Sequence, residues 1–236
     1  LYGEYSLAKL MRRLCKIDGL KWLRVLYCYP DALTDELLET MAEEEKIVKY
    51  IDLPLQHASA RVLKRMNRTG DRESLTALMK KIREKIPGVT LRTTLITGFP
   101  GETEEEFTEL AEFVKDIEFE RLGCFVYSQE EGTPAEAAEL PDQIDDEVKN
   151  HRAEIIMESQ MNIMDRLGEK QVGEDITVLT EGFDRYAECW FGRSAMDAPD
   201  IDGKVFFSAE TKPYYGEMVT VHVDEAIDGD LFGTRV

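Results

Sequence analysis

Two patterns of apolar positions take turns along the first two-thirds of the chain: helical spacing, and short continuous runs of strand character. In SLAKLMRRLCKI (6–17), Leu7, Leu10, Met11 and Leu14 fall on one face of a helix. WLRVLY (22–27) has strand character, and Thr34 is placed to cap a helix reaching Glu45. YIDLPL (50–55) is the next strand, expected to stop at Pro54, which has no N–H for a ladder. Helices over 60–66 and 72–86, broken at Thr69-Gly70, lead to a third strand, TLRTTLIT (90–97). A helix over 103–117 and a fourth strand, RLGCFVYS (121–128), follow. Apolar strands separated by helices predict a parallel sheet covered by helices.

The pattern changes after a long helix predicted over 145–167 and ended by Gly168. From Val172 onward DITVLT, YAECWFGR, GKVFF, EMVTVHVDEA and LFGTRV are short strands with Gly and Pro between them, which suits a small OB-like barrel. The expected class is therefore α/β with parallel strands over 1–168, followed by a small all-β domain over 169–236.

Composition narrows the function. The net charge is -19, from 29 Lys and Arg against 48 Asp and Glu. That balance repels phosphate backbones and makes nucleic acid a poor direct partner; it suits a basic partner, or is simply an acidic solubilising surface, the more ordinary reading of charge alone. Residues 171–236 alone hold 5 Lys and Arg against 14 Asp and Glu, a net of -9. The Glu runs at 43–45 and 104–106 sit on predicted helices and are solvated faces. No apolar run is long enough to span a bilayer, so no membrane role is expected. Cys15, Cys28, Cys124 and Cys189 are scattered, and no two stand in metal-ligand spacing, so no metal site is predicted. Few cysteines and no signal peptide predict a reducing, cytoplasmic setting. A chain starting at Leu1 rather than Met is expected to be a piece of a longer protein.

Three motifs carry candidate chemistry. The strand over 90–97 runs into Gly98-Phe99-Pro100-Gly101-Glu102-Thr103, where two glycines permit close approach and Thr103 with Glu106 forms a capping box. The turn suits a ligand edge, since ligands of α/β sheets bind where strands end and helices begin, or an ordinary strand-to-helix connection. In LPLQHASARVLKRMNRTG (53–70), Gln56 and Arg68 would stand at another strand mouth, an amide and a guanidinium suited to a carboxylate or ribose. His57 beside them has the character of a satisfied structural histidine. In CFVYSQEEGTPA (124–135), the strand end suits a planar base, with core packing an equal reading for Phe125 and Val126.

Taken together, LPLQHAS, RMNRTGD, TLITGFPGET and FVYSQEEGTPA resemble the later barrel half of the radical S-adenosylmethionine (SAM) methylthiotransferases. YCYPDALTDELLETMAE and ELPDQIDDEVKNHR are similar to the same family, and GRSAMDAPDIDGKVFF resembles its C-terminal TRAM domain. The resemblance implies a partial, open, TIM-like radical-SAM barrel followed by an OB-like TRAM barrel. It implies SAM as cofactor, held by Gln56, Arg68 and Thr94, with Ile96, Gly98, Val126 and Tyr127 flanking adenine or ribose. Many relatives carry Asp at the position of Thr94.

The wording is nearest to the branch that methylthiolates the β-carbon of an aspartate in small-subunit ribosomal protein S-twelve. The alternatives are the branch acting on a transfer-RNA adenosine, or a noncatalytic docking module. Two 4Fe-4S clusters belong to the full-length family, and the cysteines that would hold them are absent from this chain. No catalytic residue is therefore assigned, and the chain is expected to be inactive alone. The acidic TRAM domain and the barrel mouth are the expected contact with that basic ribosomal protein.

Overall fold

The computed structural model describes residues 3, 6–133 and 142–236. Contacts divide the chain into compact units 1–160 and 161–236.

The first unit is a parallel sheet of β1 (Leu23–Val25), β2 (Ile47–Gln56), β3 (Thr90–Thr97) and β4 (Arg121–Val126), in that spatial order. Helix α1 (Leu7–Cys15) precedes β1, and α2 (Asp35–Glu43), α3 (Ala60–Arg65), α4 (Arg72–Lys85) and α5 (Glu104–Ile117) occupy the connections, as strands running the same way require. The helix starts are written locally. The Thr34 hydroxyl accepts the Leu37 N–H at 3.2 Å, and Asp71 with Ser74 and Thr103 with Glu106 form reciprocal capping boxes. Tyr50, Phe113, Phe119, Leu38 and Met41 are fully buried in the core.

Several local expectations are corrected. β2 does not stop at Pro54 but reaches Gln56. The ladder to β3 is irregular between Leu53 and Gln56, so the missing proline N–H falls where no regular bond is needed. β1 is only three residues long. In α1 the buried face is Ala8, Met11 and Cys15, while Leu7 and Leu10 are 41% and 52% exposed. The long helix α6 spans Asp146–Glu169 and runs through Gly168 instead of ending there. A Cβ on Gly168 would lie 3.0 Å from that of Ala226, so this glycine serves close packing and not a cap.

In the second unit, β5 (Asp175–Asp184), β6 (Cys189–Ser194), β7 (Val205–Ser208), β8 (Met218–Ile227) and β9 (Asp230–Arg235) close into a barrel in the order β5-β6-β7-β9-β8. Closure leaves no strand edge unpaired. Its interior is Val178, Val205, Phe207, Val219, Val221, Val223 and Leu231. The five strands match the five apolar runs of the sequence.

Candidate functional site

Alternation along β3 separates two faces of the sheet. Leu91, Thr93, Leu95 and Thr97 are buried on one, and Arg92, Thr94 and Ile96 are half-buried on the other. Pairing extends the second, more open face sideways: Arg92 lies beside Asp52 and Arg121, Thr94 beside Gly123, and Ile96 beside Phe125. Asp52 and Arg92 form an ion pair at 3.0 Å, with Asp52 fully buried and the Arg92 side chain 12% exposed. The other Asp52 oxygen accepts the Tyr27 N–H at 3.2 Å, which ties the loop after β1 to β2.

At the carboxyl ends of the strands the predicted residues gather. Gln56 ends β2 at a φ of 72°, and its side-chain oxygen is buried with no partner. Arg68 donates to the Pro54 carbonyl at 3.0 Å and lies 5.4 Å from the Tyr29 ring centre, so it too stands at the end of β2. Tyr127 follows β4 and donates its N–H to the Thr97 carbonyl at 2.9 Å. Its ring meets Phe99 edge-on at 5.1 Å beneath the Lys149 ammonium at 5.9 Å, and its hydroxyl is buried without a partner. Val126 pairs with Thr97 and so falls on the helix-covered face. Phe125, beside it, is 60% exposed on the open face.

The glycine turn is used differently from the sequence expectation. Gly98 and Gly101 have φ values of 73° and 80°. A Cβ on Gly98 would meet Lys149 Cγ at 2.1 Å, and one on Gly101 would meet the Arg65 guanidinium at 2.5 Å. The close approach these glycines permit is to the protein's own α6 and α3.

The same turn holds a buried ionic cluster. Glu102 accepts the Gly98 N–H, and Arg152 of α6 reaches Glu102 at 3.2 Å and Glu104 at 2.8 Å. Burial pushes the Glu102 carboxyl up to about 7, against the lowering influence of Arg152 and the Gly98 and Phe99 N–H groups. Burial also works against charge on Glu106, but Arg61, the Thr103 N–H and the Ser59 hydroxyl outweigh it and hold that carboxyl at about 2. His57 is fully buried, accepts the Ser59 N–H on Nδ1 at 2.9 Å, and is pushed down to about 4 by burial. It is neutral, but its Nε2 is buried with no partner among the described residues, so the expected satisfied histidine is satisfied on Nδ1 alone. Sequence reading missed Glu102 and Arg152. Glu102 directly follows the turn, but its partner is fifty positions away.

The sequence model of the Radical SAM superfamily matches residues 4–114, and that of the TRAM domain matches residues 172–236. The chain is 47% identical over 234 residues to "Ribosomal protein uS12 methylthiotransferase RimO" of Lachnoclostridium phytofermentans, covering 99% of this chain and 53% of that protein. It is 48% identical over 233 residues to the protein of that name from Caldanaerobacter subterraneus, covering 99% and 52%. The chain thus carries a Radical SAM segment and a TRAM domain, and nearly all of it is similar to proteins named RimO. It spans about half the length of the curated relatives it matches. Coproporphyrinogen III oxidase of Escherichia coli shares the fold, with a TM-score of 0.51 at 18% identity over 70% of this chain and 38% of that one.

The match to the Radical SAM superfamily implies SAM and 4Fe-4S clusters, and the two groups fare differently here. The Gln56 oxygen and the Tyr127 hydroxyl, both buried without partners at the strand ends, fit a polar ligand such as SAM. The clusters do not fit. Among the described residues no three His, Cys, Asp or Glu gather as a metal site. Burial pushes the Cys28 and Cys124 thiols up to about 11 and 12, away from the thiolate a cluster needs. Within the family motifs, Pro134 and Ala135 of FVYSQEEGTPA and residues 139–141 of ELPDQIDDEVKNHR lie outside the described residues.

Proposed function

We propose that this chain forms the later barrel sheet and TRAM domain of an enzyme that methylthiolates the β-carbon of an aspartate in ribosomal protein uS12. The observation that carries this reading is 42–48% identity to proteins of that name across nearly the whole chain. The Gln56 amide and Arg68 guanidinium hold the polar end of SAM, with Thr94 beside them on the open face. Ile96, the Gly98 backbone and Tyr127 border its adenosine end, whereas Val126 lies on the opposite, helix-covered face of the sheet. No ligand for either 4Fe-4S cluster comes from the described residues, so this chain alone binds but does not react. A cytoplasmic setting follows from the ribosomal substrate, and among the described residues no helix is long and apolar enough to cross a membrane.

uS12 docks through the acidic TRAM domain and the barrel mouth. Of the five basic side chains in residues 171–236, Arg193 and Arg235 are held by Glu181 and Glu217 at 2.8 Å each. Lys204 and Lys212 sit over the rings of Phe191 and Trp190, at 4.8 and 5.9 Å. Little positive charge is left to meet a phosphate backbone, which disfavours the transfer-RNA reading.

Two measurements test the proposal. Pull-down of purified uS12 and of transfer RNA at two salt concentrations is expected to favour uS12, with binding that weakens as salt rises; preference for transfer RNA refutes the substrate assignment. Calorimetric titration with SAM is expected to lose affinity in Gln56→Ala and Arg68→Ala, and unchanged affinity in both removes them from the cofactor site.

A further inference from the structure

The outer surface of the β-barrel carries a row of aromatic rings. Pairing sets Phe191 of β6, Phe206 of β7 and Phe232 of β9 side by side, with Gly182 of β5 at one end and Glu225 of β8 at the other. Phe206 and Phe232 point outward, because their neighbours Val205, Phe207 and Leu231 fill the interior, and Phe191 shares their face. All three are half-buried. Gly182 makes room for the first ring, since a Cβ there would meet Phe191 Cζ at 2.4 Å. Phe206 and Phe232 stack, with ring centres 5.3 Å apart and planes 15° from parallel. Phe206 therefore covers one side of Phe232, and the other side is turned toward β8.

β8 supplies negative charge at that end of the row. Its ladder with β9 slips between Val223 and Glu225, and Asp224 and Glu225 are both exposed there. The Thr234 hydroxyl, on the outer surface of β9, donates to Asp224 at 3.1 Å. An aromatic face beside two carboxylates matches a guanidinium, whose plane stacks on the ring while its N–H groups reach the oxygens. The barrel's own lysines show that its rings take cations: Lys204 lies 4.8 Å from the Phe191 ring centre and Lys212 5.9 Å from that of Trp190. Aromatic rows on small barrels also stack nucleic-acid bases, but those rows line a positively charged groove. This one ends on carboxylates, in a segment with 5 Lys and Arg against 14 Asp and Glu. Charge decides for a cationic occupant.

We propose that the side of Phe232 facing β8, flanked by Asp224 and Glu225, docks an arginine side chain on a segment of a basic protein. The identity of that protein as uS12 rests on the proposed function; the surface itself does not.

Two variants of the full chain test it. Phe232→Leu keeps an apolar side chain on the strand and leaves the net charge alone, but removes the aromatic face. The double variant Asp224→Asn with Glu225→Gln removes both charges at nearly constant shape. Unchanged melting curves confirm that the barrel is kept. Dissociation constants are measured for an arginine-rich synthetic peptide, for its citrulline counterpart, which keeps the planar group without the charge, for purified uS12, and for a short single-stranded RNA.

The expected result is a roughly three- to thirtyfold loss of affinity for the arginine peptide and for uS12 in each variant, with citrulline-peptide binding unaffected. Equal binding of the arginine peptide by wild type and Phe232→Leu, or equal binding of the two peptides by wild type, overturns the docking surface. RNA bound more tightly than the arginine peptide, and weakened by Phe232→Leu, overturns it in favour of a base-stacking platform. A wild-type chain that binds no uS12 while the arginine peptide responds to both variants refutes the proposed substrate and keeps the surface. Binding of uS12 that neither variant disturbs keeps the substrate and overturns the surface.

Discussion

Glu102 and His57 give the first unit two titrations of opposite sign in nearly the same pH range, and removing one exposes the other. The Glu102 carboxyl stands at about 7 in the folded chain against a usual 4.5. Below pH 4.5 it is protonated whether the chain is folded or not, and the folded state has its full stability. Between 4.5 and 7 the unfolded chain gives up the proton while the folded chain keeps it, so stability falls as pH rises, and it levels off above 7. At ~1.4 kcal/mol per pH unit that interval amounts to about 3 kcal/mol. His57 runs the other way. Its folded value of about 4 lies below the usual 6.5, so the unfolded chain binds the extra proton between these limits. Stability therefore rises with pH by about 3 kcal/mol between pH 4 and 6.5. Glu102→Gln keeps an acceptor for the Gly98 N–H but removes the falling limb. Urea unfolding from pH 4.5 to 8, followed by Trp22 fluorescence in a Trp190→Phe background, reports on the first unit. The stability of the variant minus that of the parent is expected to climb by about 3 kcal/mol from pH 4.5 to 8. Loss of the Arg152 pair sets the offset of that curve but not its slope. A flat difference, or one that falls with pH, refutes the assignment of a buried, proton-retaining Glu102.

Two further outcomes concern the same sheet. Gly98→Ala forces a side chain into the left-handed region and against Lys149 Cβ at 2.8 Å, so α6 must shift. A loss of about 2–4 kcal/mol in urea unfolding is expected, and a loss below about 1 kcal/mol shows that the helix yields freely. Asp52→Ala leaves the Arg92 guanidinium without its ion-pair partner at a site where Asp52 itself is fully buried. It is expected to cost about 3–5 kcal/mol, with Arg92→Met in the same chain recovering part of it; no recovery shows that the loss has another source.

Much of this protein is local and therefore present in the chain itself. The strands over 90–97 and 121–126, the Thr34 and Thr103 caps, and the five runs that close the second unit depend on neighbours two to four positions apart, a range that the spacing of residue types encodes. The sequence likewise marked Gln56 and Gly98, because each sits at the junction where a strand pattern gives way to a helical one, and Arg68, in the break between two helices. Where local signals misled, a distant contact was the cause. Pro54 is accommodated by an irregular step against β3, and Gly168 continues its helix because Ala226 needs the room.

What only the tertiary structure decided is how the ends of the strands are furnished. Gly98 makes room for Lys149, and burial raises the Glu102 carboxyl to about 7 against the opposing pull of Arg152, partners some fifty positions away. The open face, too, exists only in register: Asp52 meets Arg92 across forty positions, and Thr94 meets Gly123 only when β3 and β4 lie side by side. Such pairings are set by which strands become neighbours and by the burial that follows. Neither is a property of residue order over a few positions.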